Sequence, residues 1–240
     1  MSVSALPPQG EKATAVKGMF SAIAPRYDLL NHLLSLNIDK RWRRRAVDIL
    51  LTDHLPGTSY LDACAGTMDL SVEIASRLSF LGDVVATDFA YPMLTAGTHK
   101  VRGKAIDVAC ADALQLPFAT ARFAGAIVGF GVRNLASIAD GLAELTRVLA
   151  PGGRLVILEF TTPRWQPFRA LYLSYFKHLL PAIGKRISRH GSAYSYLPAS
   201  VLEFPEPPEL AALMRSAGLR DVTWETRTGG IVAIHCGRKA

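Results

Sequence analysis

The run Tyr60-Leu-Asp-Ala-Cys-Ala-Gly-Thr-Met-Asp69 decides the fold. Its first half is a short apolar segment, its second half a turn through Ala65, Gly66 and Thr67, and a helical pattern then carries on to Leu78. A strand that turns on a glycine into a helix is the opening unit of a wound α/β sheet. The alternation continues downstream. Asp83–Asp88, Ala105–Cys110 and Ala124–Phe130 read as the second, third and fourth strands. The fourth is apolar almost without alternation, as a strand covered on both faces requires. A helix over Ile138–Leu149, with Leu142, Leu145, Val148 and Leu149 on one side, is stopped by Ala150-Pro-Gly-Gly153, because proline cannot continue a helix and glycine takes positive φ.

Outward from that centre, Arg154–Phe160 reads as the fifth strand, Pro208–Ala217 as a helix ended by Gly218, and Asp221–Arg227 with Gly230–Cys236 as two last strands around a Gly229-Gly230 turn. Upstream, residues 11–54 read as helical, with a second helix from about Asp39 through Leu51. No repeat, low-complexity tract or linker interrupts the chain. The expectation is one domain over 1–240: a helical cap at 11–54, a cofactor-binding core at 59–160, a basic aromatic insert at 161–203, and a C-terminal helix and hairpin at 204–240. The fold class is α/β, a doubly wound Rossmann-like sheet of seven mostly parallel strands.

Composition bounds the function. Of 240 residues, 50% are hydrophobic and 20% charged, enough to bury a core and too apolar for a disordered chain. The longest stretch free of Asp, Glu, Lys and Arg is the 13 residues His190–Leu202, short of the roughly 18 that a membrane span needs. Met1–Gly10 has no charged segment followed by an apolar one, so no secretory signal is expected. Cys64, Cys110 and Cys236 are odd in number and far apart; they fit a reducing cytoplasm and the core rather than a zinc site. The net charge is +7, which implies an anionic partner. Nearly all of it is local: Phe160–Leu202 holds Arg164, Arg169, Lys177, Lys185, Arg186 and Arg189 with no acid, among aromatics that include Trp165, Phe168, Tyr172, Tyr175, Phe176, Tyr194 and Tyr196.

Ligands of such sheets bind beyond the carboxyl ends of the strands. Three acids sit there: Asp62 at the first strand's end, Asp88 at the second strand's end, and Asp112 just past the third. Asp88 is placed to accept hydrogen bonds from ribose hydroxyls, and Asp112 to meet an adenine amino group. The loop has one glycine, Gly66, and an acid, Asp69. A dinucleotide site needs GxGxxG to bring N–H groups to a pyrophosphate, which an acid in the loop would repel. That acid favours a cation instead, such as the α-amino group or sulfonium of S-adenosylmethionine.

Four stretches, taken in order, resemble one family. They are Tyr27-Asp-Leu-Leu-Asn-His-Leu-Leu-Ser35 with Trp42; Phe130-Gly-Val-Arg-Asn-Leu135; Arg147-Val-Leu-Ala-Pro-Gly-Gly-Arg-Leu-Val-Ile-Leu-Glu-Phe160; and Tyr194-Ser-Tyr-Leu197 with Gly229-Gly-Ile-Val-Ala-Ile-His235. The chain resembles the ubiquinone/menaquinone biosynthesis C-methyltransferases of the UbiE type from about Val16 to its C-terminus. It departs from their pattern at Ala65 and Met68, where glycines are usual, and at Thr161, where serine is usual.

The resemblance implies a class I S-adenosylmethionine-dependent methyltransferase that methylates a ring carbon of a polyprenylated quinol: demethylmenaquinol, a 2-polyprenyl-6-methoxy-1,4-benzoquinol, or both. It implies cofactor contacts at Thr67, Asp88, Asp112 and Ala113, to which the loop reading adds Asp62 and Gly66. No metal and no nucleic acid are expected. Peripheral contact with the inner membrane face is expected of an otherwise cytoplasmic protein, and a homodimer or a complex with other quinone-biosynthesis enzymes is left open.

A quinol carbon becomes nucleophilic when a neighbouring hydroxyl loses its proton. Arg133 and Asn134, just past the fourth strand, are candidates to favour that phenolate and orient the hydroxyl. Tyr27 and His32 are candidates on an N-terminal helix that closes as a lid, Tyr27 sharing a face with Asn31 and His32 with Asp28 at helical spacing. Phe168, Leu171, Tyr172, Tyr175 and Leu179 recur on one helical face, which reads as an interfacial helix, a lid over a prenyl tunnel, or plain packing on the domain. Lys40-Arg-Trp-Arg-Arg-Arg45 offers five further cations for acidic head groups. Two rival readings are a nucleic-acid methyltransferase, disfavoured because Gly129–Asn134 stands where a [DN]PP[YF] element would, and a non-catalytic cofactor-fold subunit scaffolding quinone enzymes.

Overall fold

Strands β1 (Ser59–Ala63), β2 (Asp83–Asp88), β3 (Ile106–Cys110), β4 (Phe123–Gly129) and β5 (Leu149–Phe160) run parallel, and β7 (Val232–Lys239) lies antiparallel between β5 and β6 (Leu219–Arg227). The sheet order is β3-β2-β1-β4-β5-β7-β6, the seven-stranded, mostly parallel sheet that the sequence predicts. This computed structural model describes residues 6–28, 35–175 and 192–240. His32 and Asn31, and Phe176, Lys177, Leu179, Lys185, Arg186 and Arg189 of the basic aromatic insert, lie outside the described residues.

Side chains alternate across each strand, and the two faces are claimed by different helices. Leu61, Ala63, Val128 and Leu155 point to α5 (Ile138–Val148) and α8 (Pro207–Ser216), where Leu142, Leu145, Leu210 and Met214 meet them. Tyr60, Val84, Ile127 and Val156 point the other way, to Trp42, Val47 and Leu50 of α2 (Asp39–Leu50) and to Leu70 and Ile74 of α3 (Asp69–Ala75). β4 is buried along almost its whole length, whereas the edge strand β3 is largely half-buried or exposed. The remaining helices are α1 (Lys12–Ile23), α4 (Tyr91–Val101), α6 (Gln166–Ser174) and α7 (Ser192–Glu203). Among the described residues no helix is long and apolar enough to cross a membrane.

Two local readings change, and a third, open in the sequence, is narrowed. The Ala150-Pro-Gly-Gly153 turn is not a break before β5 but lies inside it. Phe123 pairs with Leu149 and Gly125 with Arg154, so β5 carries extra residues as a bulge, with Gly152 at φ +75°. α3 stops at Ala75 rather than reaching Leu78, which is fully exposed. The apolar face of the insert is divided: Tyr172 is buried beside Val201, and a Cβ on Gly229 would lie 2.7 Å from the Phe168 ring, whereas Leu171 and Trp165 are 66% and 70% exposed. Of the three readings of that face, packing on the domain accounts for Tyr172 and Phe168, while Leu171 stays exposed.

The basic run Lys40–Arg45 is also less free than its charge suggests. Arg43 is buried against Asp39 and Asp69, and Arg45 makes a bidentate pair with Glu225 at 2.8 and 2.9 Å. Lys40, Arg41 and Arg44 remain exposed. His235 on β7 is buried; its Nε2 lies 2.9 Å from the Pro207 carbonyl, so that nitrogen donates, and burial pushes its pKa down to about 4.

One glycine sets how closely α4 approaches the first loop. A Cβ on Gly97 would stand 2.4 Å from the Thr67 carbonyl oxygen, a backbone atom that cannot swing aside. Gly97→Ala should therefore cost about 1–3 kcal/mol and lower the melting temperature by about 2–10 °C, measured by calorimetry; an unchanged melting temperature would mean that α4 has room to retreat.

Candidate functional site

The chain leaves β1 through three left-handed residues in five: Cys64 (φ +54°), Gly66 (φ +57°) and Met68 (φ +67°). Only glycine takes this conformation without cost. At Met68 the strain is offset by its side chain, which is completely buried beside Ala86 and Leu94. At Gly66 a Cβ would sit at positive φ and 3.3 Å from the Met93 methyl, so a side chain there would be strained and would push Met93 aside.

The loop's amides are turned toward β2. Ala65 N donates to the Thr87 carbonyl (2.8 Å), Gly66 N to Asp88 Oδ2 (2.9 Å), and Ala90 N to Asp88 Oδ1 (2.8 Å). Asp88 thus stitches two loops together at the carboxyl end of β2. Burial pushes its pKa up, and the amides of Ala90, Gly66 and Phe89 pull it back.

Beyond these strand ends lies an open cleft. The loops after β1 and β2 contribute Gly66, Asp88, Phe89 and Met93; Asp112 and Ala113 follow β3; Gly129, Phe130, Asn134 and Leu135 follow β4; and Ala13, Phe20 and Tyr27 come from the N-terminal segment. Asp112 Oδ1 accepts from Leu114 N (2.9 Å), which fixes that carboxylate beside the opening. Of the residues singled out in the sequence, Gly66, Asp88, Asp112, Ala113, Tyr27 and Asn134 share this cleft.

Asp62, Thr67 and Arg133 are not among its lining residues. Asp62 is wholly buried, and its Oδ2 accepts from the amide and hydroxyl of Ser71 (2.9 and 2.5 Å) at the start of α3. Thr67 gives its hydroxyl to Asp28. Asp28 also pairs with Lys100 Nζ at 2.5 Å, and Lys100 reaches Asp69 at 2.6 Å. The carboxylate that the sequence pairs with His32 is thus engaged by the loop and α4.

Arg133 is turned inward. Its Nη1 is 2.6 Å from both Glu159 Oε1 and the Phe130 carbonyl, and its guanidinium stands 5.5 Å from the Phe160 ring centroid. Both members are buried, at 7% and 1% exposure. Asn134 bridges from this buried pair to the cleft: its Nδ2 donates to the Phe130 carbonyl (3.2 Å), and its Oδ1 accepts from Tyr196 OH (3.1 Å). Burial raises the pKa of Tyr196 and of Tyr172, which keeps both phenols protonated at neutral pH.

Glu159, Lys12 and Lys100 are the functional neighbours that sequence reasoning missed. Glu159 had a signal: a lone acid closing the apolar run Leu155-Val-Ile-Leu-Glu159 needs a buried cation. Lys12 and Lys100 had none, because each acts across thirty or more residues of intervening chain.

A profile of the ubiE/COQ5 methyltransferase family matches residues 9–239. A protein named demethylmenaquinone methyltransferase from Thermus thermophilus is 48% identical over 91% of this chain and 99% of its own. One of the same name from Deinococcus radiodurans is 43% identical over the whole of both chains. A ubiquinone/menaquinone biosynthesis C-methyltransferase UbiE from Geobacter sulfurreducens is 44% identical over 95% and 90%. Among solved structures, the CurJ carbon methyltransferase superposes with a TM-score of 0.65 at 15% identity over 88% of this chain and 58% of its own. A SAM-dependent methyltransferase from Thermotoga maritima gives 0.62 at 16% over 94% and 100%. At such identities the likeness is one of fold.

The buried Asp62 yields a pH prediction. Burial pushes its pKa up to about 7, against the opposing pull of Ser71 and Arg43. A carboxyl held above its unfolded value of about 4 stabilises the fold fully below that pH and loses the contribution as pH rises through about 7. Asp62→Asn keeps an acceptor for Ser71 and removes the titration. Its stability relative to the parent should climb between pH 4 and 8 by up to roughly 4 kcal/mol, seen as a widening gap in melting temperature; a gap constant with pH would show that Asp62 does not titrate there.

Proposed function

The chain belongs to the ubiE/COQ5 methyltransferase family, and from that premise we propose that it methylates a ring carbon of a polyprenylated quinol, with demethylmenaquinol as the favoured acceptor. The observation that supports this reading is the cleft itself, which runs from strand-end carboxylates to an amide–phenol pair.

The lining residues fit S-adenosylmethionine. Asp88 and Asp112 stand at consecutive strand ends as acceptors for a nucleoside, Phe89 and Ala113 offer apolar surface for its base, and Gly66 leaves space that a side chain would fill. When bound, S-adenosylmethionine supplies a methyl group that its sulfonium already activates.

The protein's own part is to hold the acceptor ring, favour its phenolate and keep water out. Asn134 is the polar side chain of the far wall, and the Phe130 carbonyl and the Tyr196 hydroxyl fix both ends of its amide. An amide held in this way can orient a ring hydroxyl without reorganising during reaction. Arg133 acts from behind. It pins the Phe130 carbonyl while Glu159 neutralises most of its charge, so we assign it positioning rather than direct contact. Phe20 and Tyr27, with ring centroids 5.9 Å apart, cover the cleft from the N-terminal side and exclude solvent.

A lipid-tailed substrate implies a membrane contact. The exposed Leu36, Trp165 and Leu171, with Lys40, Arg41, Arg44 and Arg164, are the described residues suited to an anionic surface, each cation near it contributing about 1 kcal/mol.

The test is transfer of labelled methyl from S-adenosylmethionine to a short-tailed demethylmenaquinol by the purified chain. Asn134→Ala should lower kcat by about 10–100-fold while the donor's Kd shifts less than about threefold. No transfer by the parent protein, with donor binding intact, would overturn the proposed substrate. Equal losses in kcat and in donor binding would overturn the role of Asn134.

A further inference from the structure

We propose that Lys12 is a positioning residue, which couples closure of α1 over the cleft to the placement of the turn that carries Asn134. The proposal builds on the methyltransferase reading of the cleft and adds how the site is assembled.

Lys12 opens α1. Its Nζ donates to the carbonyl of Arg133 at 3.0 Å and to that of Leu135 at 2.7 Å. These two carbonyls flank Asn134 in the chain, so one ammonium holds the backbone on both sides of the residue that faces the cleft. The side chain of Asn134 is held separately, by the Phe130 carbonyl and Tyr196. The next residue of α1, Ala13, already lines the cleft, as does Phe20 two turns on.

The apolar grip of α1 is light. Val16 is its one fully buried residue; Met19 and Ile23 rest against the Tyr172–Val201 cluster, and Phe20 rests near Met93. The far end of the segment is held by polar contacts too, Asp28 receiving the Thr67 hydroxyl and pairing with Lys100. The N-terminal segment therefore spans the cleft with Lys12 fastened to the turn after β4 and Asp28 to the loop after β1. A cover that must lift for donor exchange needs weak packing and specific latches. Lifting α1 would withdraw the ammonium and free the two carbonyls around Asn134.

The groups around Lys12 include both signs of charge. Partial burial lowers its pKa, Arg133 lowers it further, and Glu203 of α7 opposes both. The ammonium sits there because the two carbonyls hold it.

The test compares Lys12→Met and Lys12→Arg in the full chain. In Lys12→Met, amide hydrogen exchange of the free protein should quicken by about tenfold in both α1 and residues 131–135. Its kcat should fall by about tenfold with the donor's KM changed less than about threefold, and its melting temperature should stay within about 2 °C of the parent's. Lys12→Arg should recover most of the exchange protection and of kcat. Faster exchange in α1 with 131–135 unchanged would overturn the coupling. So would an unaltered kcat, or a loss that follows the melting temperature and is not recovered by arginine. The exchange readout needs no substrate, so it stands or fails independently of which quinol is methylated.

Discussion

The cleft exists because β1 and β4 lie side by side while their connections leave in opposite directions. β1 is followed in the sheet by β2 on one side, and β4 by β5 on the other. The loops after β1 and β4 therefore diverge and open a crevice at their carboxyl ends. Everything proposed for this protein depends on that divergence. The left-handed turn at Cys64–Met68 forms one wall and the turn at Phe130–Leu135 the other. The two walls nonetheless touch at their bases, where Gly131 stands so near Cys64 that a Cβ would lie 2.5 Å from the cysteine's own.

Buried charge then decides how each wall is held. The Arg133–Glu159 pair is enclosed in apolar surroundings, an arrangement that does little for stability but is costly to break from one side. It serves to specify the turn that carries Asn134. On the other wall a chain of alternating charges runs from Asp39 through Arg43, Asp69 and Lys100 to Asp28. That chain ties α2, the first loop, α4 and the N-terminal segment into one frame. Of the basic run at Lys40–Arg45, Arg43 and Arg45 are thus spent on ion pairs within the protein, and Lys40, Arg41 and Arg44 stay exposed.

Much of the fold was legible because it is written in local terms. Apolar runs of strand length, the turn at Gly66, the stop at Gly218 and the amphipathic helix at 138–148 each carry their signal within a few residues. The errors are also local in origin. The Pro-Gly-Gly turn signals a break, yet pairing with β4 and β7 holds it inside β5 as a bulge. The aromatic face at 168–175 is an open question rather than an error, because helical period alone does not tell which side finds a neighbour. At the site, strand-end position selects three acids, of which Asp88 and Asp112 line the cleft and Asp62 meets Ser71.

The sequence by itself determined the order of strands and helices, the single-glycine loop and the family resemblance, because these rest on spacing and residue type along the chain. Only the tertiary structure decided which charges are spent. It directed Arg133 to Glu159, Arg43 to Asp69, Asp28 to Thr67 and Lys100, and Lys12 to the carbonyls around Asn134. Each of these contacts closes across 26 or more positions of chain. A charge has no periodicity that reveals its partner, and pairing over such distances is set by how the sheet winds.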